Sequence, residues 1–471
     1  MRSLRWVILL CFFIALGGPP PAGRAAAKRE SRLNVLVIMT DDQRLDQMRA
    51  LPKTRALLGA QGTTFDNSFV DFSLCCPSRS TFLTGQYAHN HGVLANGGPH
   101  GGYPHLDHSN TLAVWLQEAG YYTAHVGKYL NNYGVESPAP PPGWSRWFGL
   151  IDPSTYRMYG YMVSDDGRPV SYLESPKDYQ TDVLAAKAEE ILRARAGTGQ
   201  PFFLTVTPIA PHLERLGHKQ TPPRAAPRHR GQFAHEMLPA AASFDEGDVA
   251  DKPAHVRKLP PLTPEKQALI TETYRAQLAS LLAVDDLVER LVKALEATGQ
   301  LDHTVIVFTS DNGFFLGEHR IPEGKYLPYE ESIRVPLIIR GGGFPAGAHV
   351  AQMVSNVDLA PTLVALTGAR ARRVMDGRPL LALALDPHQG KDRTLLIEGY
   401  GEGKGKPPFT AVRDPRWLYA EYKNGDRELY DLRSDPAELR SLHADSGAVA
   451  VRQDLARRLA RLRACAGASC L

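Results

Sequence analysis

The residues best suited to chemistry begin at Cys75, in the run Cys75-Cys76-Pro77-Ser78-Arg79 continued by Ser80-Thr81-Phe82-Leu83-Thr84-Gly85. Pro77 fits the first turn of a helix, where its missing N–H costs nothing, and residues 78–83 can continue helically. A reactive group at Cys75 then sits just before a helix N-terminus, where unpaired backbone N–H groups and the positive end of the helix dipole favour an anion. Arg79, one turn in, adds a permanent cation with forked donors suited to an oxyanion. The ordinary reading of an arbitrary cysteine pair is two buried thiols or a disulfide partner.

Two acidic stretches offer a second chemistry. Val35-Leu36-Val37-Ile38-Met39-Thr40 runs straight into Asp41-Asp42, and Thr304-Val305-Ile306-Val307-Phe308-Thr309-Ser310 runs into Asp311-Asn312-Gly313. In a doubly wound fold both pairs emerge at the carboxyl edge of the sheet, where sites are built. Three carboxylates and one amide oxygen converging there make a hard, all-oxygen site for Ca²⁺ or Mg²⁺, and nothing in it suits zinc. Alone, either pair would read as a helix cap or a turn.

These residues need rigid elements behind them. β-Branched apolar runs at 35–39, 121–126, 202–206, 304–309 and 335–339 read as buried strands. Helical patterns at 113–119, 179–195 and 264–298 lie between them, the last with a stripe of Leu278, Leu281, Leu282, Leu291 and Leu295. Strands alternating with helices predict an α/β fold, a large mostly parallel sheet flanked by helices. Residues 213–262, rich in Pro, His, Arg and Lys, read as a long surface excursion rimming the site. Beyond residue 390, runs at 394–397, 409–413, 417–422 and 428–432 followed by a helical pattern at 449–464 predict a small antiparallel sheet with one helix. The expected division is a leader at 1–27, a catalytic domain at 28–390 and a small C-terminal subdomain at 391–471.

Composition constrains partners and compartment. A net charge of +4 over 471 residues predicts no nucleic-acid partner. Arg2 and Arg5, the apolar run 7–16 and Ala25-Ala26-Ala27 have the order of a secretory signal peptide. The run is well short of the roughly 20 residues that cross a bilayer, so no membrane anchor is expected. Cys11 leaves with the signal. Cys465 and Cys470 close a short loop and are the expected disulfide in an oxidising compartment, whereas a Cys75–Cys76 vicinal bridge stays open by count alone. No Asn-x-Ser/Thr sequon occurs, which favours a secreted or periplasmic bacterial enzyme over a glycosylated lysosomal one.

With these residues in view, the chain resembles the type I, formylglycine-dependent sulfatases of the alkaline-phosphatase-like fold, whose signature Cys-x-Pro-Ser-Arg-x-x-x-Leu-Thr-Gly it matches at every fixed position. The resemblance spans about 33–470. It implies that Cys75 is oxidised to formylglycine (3-oxoalanine) by a formylglycine-generating enzyme during secretion. It also implies that Asp41, Asp42, Asp311, Asn312 and the modified Cys75 hold one calcium ion, magnesium being the alternative. Gly127-Lys128-Tyr129 is similar to the family element whose lysine contacts sulfate. His212, in Ala210-Pro211-His212, matches a histidine facing the leaving oxygen, and its ordinary pKa suits a general acid. Lys325 matches a second sulfate-binding lysine after Gly317-Glu318-His319. His89 and His91 reach the substrate or serve structure. Many sulfatases carry a histidine two residues after the first lysine, where it helps deprotonate the aldehyde hydrate; this chain has Leu130, leaving Asn131, Asn132 and His125 as neighbours without an assigned replacement.

The implied mechanism has one hydroxyl of the hydrate attack sulfur, His212 protonate the departing alcohol, and the other hydroxyl expel sulfate, with Arg79, Lys128, Lys325 and the metal offsetting charge. Stretches 73–79, 85–91, 127–131 and 284–288 look most like N-acetylglucosamine-6-sulfatases and extracellular heparan 6-O-endosulfatases. The implied substrate is therefore 6-O-sulfated N-acetylglucosamine of glycosaminoglycans or related glycans. The alternatives are an arylsulfatase of other specificity, a phosphonate or phosphate ester hydrolase of the same superfamily, and a glycan-binding pseudoenzyme.

Overall fold

Residues Asn34–Thr40 form the central strand of a ten-stranded sheet. The computed structural model describes residues 32–471 apart from 240, 387 and 402–405; the expected signal peptide lies outside the described residues. Within Arg32–Leu471, a single compact unit, five adjacent strands run parallel: Thr304–Ser310, Asn34–Thr40, Phe202–Thr207, Tyr122–Gly127 and Arg146–Leu150. Their alternation packs both faces. Leu36 and Ile38 enter one apolar cluster with the helices Gln180–Arg195 and Pro264–Ala297, while Val35, Val37 and Met39 enter another with Leu112–Glu118 and Leu359–Thr367. Every one of these central-strand side chains is buried, so truncation of Leu36 or Ile38 to alanine costs about 2–5 kcal/mol.

The long helix starts as its sequence dictates. Thr263 caps it, its hydroxyl accepting from the Lys266 N–H, and Pro264 occupies the first turn. Leu278, Leu281, Leu291 and Leu295 of the expected stripe are buried, and Leu282 is half-buried at its margin.

The sheet is α/β and mostly parallel as expected, but its flanks are not. Leu337–Arg340 pairs antiparallel with Thr304–Ser310 and with Thr63–Phe69, and the hairpin Met162–Asp165 with Arg168–Ser171 closes the opposite edge. Strands Thr63–Phe69, Arg146–Leu150 and Ala348–Ser355 were not expected from the sequence, because polar residues such as Asp66, Asn67 and Gln352 interrupt their apolar runs. The C-terminal region is a four-stranded antiparallel sheet, Leu395–Gly399, Phe409–Arg413, Trp417–Tyr422 and Arg427–Asp431, with the helix Val449–Leu462 against it. Cys465 and Cys470 are disulfide-bonded. Residues 213–262 hold a small hairpin, Glu214–Leu216 with Lys219–Thr221, and the short helix Ala254–Arg257.

Candidate active site

Strand register assembles the site. Thr40 lies opposite Ser310 and Gly127 opposite Thr207, so the residues that follow neighbouring parallel strands leave the sheet side by side. These are Asp41 and Asp42, Asp311 and Asn312, Lys128, and, after a short loop, His212. The Asp311 N–H donates to the Thr40 carbonyl at 3.1 Å, the Lys128 N–H to the Thr207 carbonyl at 2.9 Å, and the Asp41 N–H to the Ala210 carbonyl at 3.5 Å. Two glycines make the approach possible. A Cβ on Gly127 (φ +118) would meet the Thr207 carbonyl oxygen at 2.3 Å, and one on Gly313 would meet the Glu331 carbonyl oxygen at 2.1 Å.

The helix Cys75–Thr84 enters from above, and all ten of its residues are buried. Its polar side chains are tied down accordingly: the Ser78 hydroxyl donates to the Asp311 carbonyl at 2.5 Å and the Thr81 hydroxyl to Asp71 at 2.9 Å. Cys75 is the first helical residue rather than the residue before the helix. Pro77 still stands in the first turn, but the Cys76 N–H donates to the Asn96 side chain at 2.8 Å. Fewer helix N–H groups face the site than the sequence implied, and side-chain cations dominate it.

Three carboxylates and three cations meet around Cys75. Lys128 Nζ lies 2.5 Å from Asp41 Oδ2, Arg79 Nε 2.8 Å from Asp311 Oδ2, and Lys325 Nζ pairs with Asp42 and stands 3.0 Å from Cys75 Sγ. The Cys75 thiol points to Asp41 Oδ1 at 3.6 Å. Burial disfavours ionisation of Asp41, yet Lys128, His212, Arg79 and Lys325 together hold its pKa well below the carboxylate range. Burial, reinforced by Asp41, raises that of Asp311. Lys128 and Lys325 stay charged despite burial because Asp41 and Asp42 respectively face them. Burial pushes the Cys75 thiol up to about 11, against the pull of Lys128 and Lys325.

The residues can hold a metal ion, but the converging group includes His212 and does not include the expected Asp311. Ligand atoms of Asp41, Asp42, Cys75 and His212 all lie within 4.8 Å of one another. Asn312 Oδ1 is buried beside them without a partner while its amide nitrogen donates to Asp42 at 2.6 Å. An orphaned amide oxygen among carboxylates is what an oxygen-ligated ion satisfies.

His212 is buried, and its Nδ1 donates to the Leu213 carbonyl at 2.6 Å, which leaves Nε2, 3.5 Å from Asp42, facing the site. Burial lowers its pKa to about 4, opposed by Asp42 and Asp41, so the ring is neutral near pH 7 without substrate. His89 and His91 are turned away. His89 bridges Glu398 and the Cys465 carbonyl, each at 2.9 Å, and His91 is buried between Thr81 and the Val93 N–H.

None of the neighbours of Leu130 meets Cys75. Leu130 itself packs in an apolar cluster, His125 is bonded to Thr205 and the Gly127 carbonyl, and Asn131 bonds Cys76 and Tyr156. Asn132 donates its N–H to Asp152. Tyr156 carries no motif or periodicity and was missed from sequence, yet its ring lies 4.4 Å from that of His212 and beneath Lys128 Nζ at 4.6 Å. A cleft of about 380 Å³ opens over Asp42, His212 and Lys325, with Tyr156, Asn96, Arg215 and Gln220 in its wall. The 213–262 excursion therefore does contribute to the rim.

Comparison with known proteins agrees with this geometry. The sulfatase family profile matches residues 33–369, and an N-sulphoglucosamine sulphohydrolase C-terminal profile matches 317–465. An arylsulfatase of Volvox carteri is 34% identical over 99% of this chain and 79% of its own length. The N-acetylglucosamine-6-sulfatase of Homo sapiens is 36% identical over 81% and 69%. A protein solved in complex with its substrate D-glucosamine-2-N,6-O-disulfate superposes with a TM-score of 0.78 at 25% identity, covering 92% of this chain and 97% of its own. The architecture is thus the alkaline-phosphatase-like fold of the sulfatases, and with a family profile spanning most of its length the chain belongs to the sulfatase family.

Proposed function

We propose that this protein is a formylglycine-dependent sulfuric ester hydrolase that releases sulfate from 6-O-sulfated N-acetylglucosamine in glycosaminoglycans or related glycans. The observation that carries the proposal is Cys75, sealed beneath the cleft with Lys325 on its sulfur, Arg79 and Lys128 on the adjoining carboxylates, and His212 alongside. As a thiol, Cys75 is a poor nucleophile. With a pKa near 11, only about one molecule in 10⁴ is thiolate at pH 7. Conversion to formylglycine replaces it with an aldehyde hydrate, one hydroxyl of which bonds sulfur while the other later re-forms the aldehyde and expels sulfate.

Arg79, Lys128 and Lys325, all buried at the base of the cleft, orient the sulfate and offset its charge. Asp41, Asp42, Asp311 and Asn312 would hold a calcium ion, magnesium being the alternative, which when bound supplies Lewis-acid polarisation of sulfate oxygens. The three carboxylates and three cations cancel, so a divalent ion makes the pocket doubly positive and attractive to an anionic ester. His212 Nε2 faces the cleft and delivers a proton to the departing sugar oxygen; its lowered pKa means that the proton is taken up together with the anionic substrate. The human relative's name and the sugar disulfate in the solved neighbour support a 6-O-sulfated glucosamine. Among the described residues no helix is long and apolar enough to cross a membrane. The leader-like first 27 residues support secretion or export to the periplasm, the route on which a formylglycine-generating enzyme acts.

Mass spectrometry of the Cys75 peptide together with sulfate release tests the proposal. The expected result is an aldehyde at position 75 and turnover of 6-O-sulfated N-acetylglucosamine, with Cys75→Ser accumulating one covalent sulfate and not turning over. An unmodified thiol in active protein, or repeated turnover by Cys75→Ser, sinks the mechanism. Hydrolysis of aryl sulfates without any release from the 6-O-sulfated sugar sinks the substrate assignment alone.

A further inference from the structure

A second convergence of metal-ligating side chains lies where the loop carrying Lys325 meets the C-terminal region. His319, Glu331 and Glu438 each present one ligand atom, and the three atoms lie within 4.8 Å of one another. Each of the three residues also carries one buried polar atom with no hydrogen-bond partner, His319 Nε2, Glu331 Oε2 and Glu438 Oε1. His319 is 0% exposed and Glu438 1%. A buried polar atom without a partner costs about 1–3 kcal/mol, so three on residues that converge call for an occupant.

The other end of each side chain is fixed. His319 Nδ1 bonds Glu246 Oε2 at 2.7 Å, and Glu246 is held by Lys252 at 2.9 Å. The His319 ring stacks on Tyr329 at 4.2 Å, and its backbone N–H, at a φ of 51°, donates to the Ser243 carbonyl at 2.7 Å. Glu331 Oε1 accepts from the Ser243 hydroxyl at 3.2 Å, and Glu438 Oε2 from the Glu330 N–H at 3.1 Å. Each residue therefore spends one polar atom on the protein and turns the other inward.

Charge points the same way. Among the described residues neither Glu331 nor Glu438 is in an ion pair with a lysine or arginine; the arginines of this region, Arg44 and Arg413, are paired with Glu318 and Glu330. A half-buried and a buried carboxylate facing one imidazole favour a cation between them. With its Nδ1 proton on Glu246, His319 offers the Nε2 lone pair, the carboxylate–histidine arrangement that orients metal-binding histidines.

We propose that His319, Glu331 and Glu438 form a second, structural metal site for a divalent transition ion, zinc in the first instance, oriented by Glu246. A mixed nitrogen and carboxylate set suits Zn²⁺, in contrast to the all-oxygen set of Asp41, Asp42, Asp311 and Asn312. Donors on one zinc ion stand roughly 3–4 Å apart, so a cluster within 4.8 Å closes on the ion with small side-chain adjustments. His319 and Glu331 flank Lys325 in sequence, and Glu438 follows the last strand of the C-terminal sheet. The ion ties both ends of the Lys325 segment to that region.

The test uses the full chain, stripped with chelator, saturated with Ca²⁺ and then titrated with Zn²⁺ alone, with metal counted by mass spectrometry after gel filtration. One zinc per chain is expected, with a rise in melting temperature, and Co²⁺ in its place gives visible d–d absorption. His319→Gln and Glu438→Gln abolish the retained zinc, and Glu246→Gln weakens its binding roughly 10–100-fold. Retention of no zinc and no cobalt band by the calcium-saturated wild type overturns the proposal, as does equal zinc binding by all three variants. Should His319→Gln fail to fold, the wild-type cobalt spectrum and Glu438→Gln decide. The metal count is independent of turnover, so its failure leaves the sulfatase reading standing.

Discussion

Lys325→Met separates two effects that most active-site substitutions confound. Lys325 pairs with Asp42 and stands 3.0 Å from Cys75 Sγ. Its ammonium thus competes with a divalent ion for Asp42 while offering a charge to any sulfate joined at position 75. Removing a charged donor from a closed site costs about 2.7–4 kcal/mol of transition-state stabilisation, roughly 10²–10³ in kcat. Methionine keeps the side-chain stem as far as Cε and removes the ammonium with its charge and its donors. At an effective dielectric constant near 20, an ammonium a few ångströms from a unit positive charge is opposed by about 4 kcal/mol. A divalent ion feels more, and relaxation returns much of it. Calcium should therefore bind about 10–100-fold more tightly to the variant, a net gain of about 1.4–2.7 kcal/mol.

The assay pairs sulfate release from 6-O-sulfated N-acetylglucosamine with calorimetric calcium titration, on protein whose position 75 is equally converted in both forms. Slower turnover with tighter calcium is the expected signature. Activity within tenfold of wild type refutes a sulfate-binding role for Lys325. Weaker calcium binding refutes the competition for Asp42.

His212→Gln should cost roughly 10²–10⁴ in kcat on the sugar sulfate and far less on 4-nitrophenyl sulfate, whose leaving group departs without a proton; equal losses on both would exclude the acid role. His89→Gln tests a pH-dependent brace. Burial lowers the His89 pKa, but the hydrogen bond and charge of Glu398 and the Cys465 carbonyl outweigh it and raise the pKa from 6.5 to about 9. Because the folded value is raised, the stabilisation is complete below pH 6.5 and is lost as pH rises towards 9. A shift of that size is worth at most ~3 kcal/mol, and about 1–2 kcal/mol once screening by solvent is allowed for. Thermal melts of wild type and variant should therefore differ at pH 6 and converge above pH 9, and a difference independent of pH contradicts the assignment.

The parts of the site that were legible in the sequence are those in which chemistry sits at the end of an apolar run. Val35 to Thr40 and Thr304 to Ser310 announce buried parallel strands, and their in-register pairing makes Asp41 and Asp311 neighbours although 270 residues separate the paired Thr40 and Ser310. Tyr156 and Asn96 lie in irregular segments and owe their positions to long-range packing, which leaves no local pattern. His89 and His91 illustrate the converse. Their spacing beside the nucleophile helix looks catalytic, whereas Glu398 and the Cys465 carbonyl, more than 300 residues away, claim His89 for structure. The strand Thr63–Phe69, second from the sheet edge, went unread for a related reason, since its Asp66 and Asn67 bond His349 and Arg334 rather than continuing an apolar run.

Leu130 is where local sequence and tertiary structure answer different questions. In sequence the position asks for a histidine; in the fold it belongs to an apolar layer with Tyr129, Tyr133 and Trp147. A histidine there would have to be desolvated among those rings, as His125 is, whose pKa burial drives down to about 3. The acceptor that does reach Cys75 is Asp41 Oδ1, kept ionised by Lys128, Arg79 and Lys325 against the cost of burial. A carboxylate held that far below its ordinary pKa is a weak base. The demand on a base falls, however, when the group to be deprotonated is itself acidified by neighbouring positive charge, and Lys325 stands 3.0 Å from the Cys75 sulfur. Leucine at position 130 is therefore compatible with the arrangement around Cys75, where concentrated positive charge does part of what a strong base would otherwise have to do.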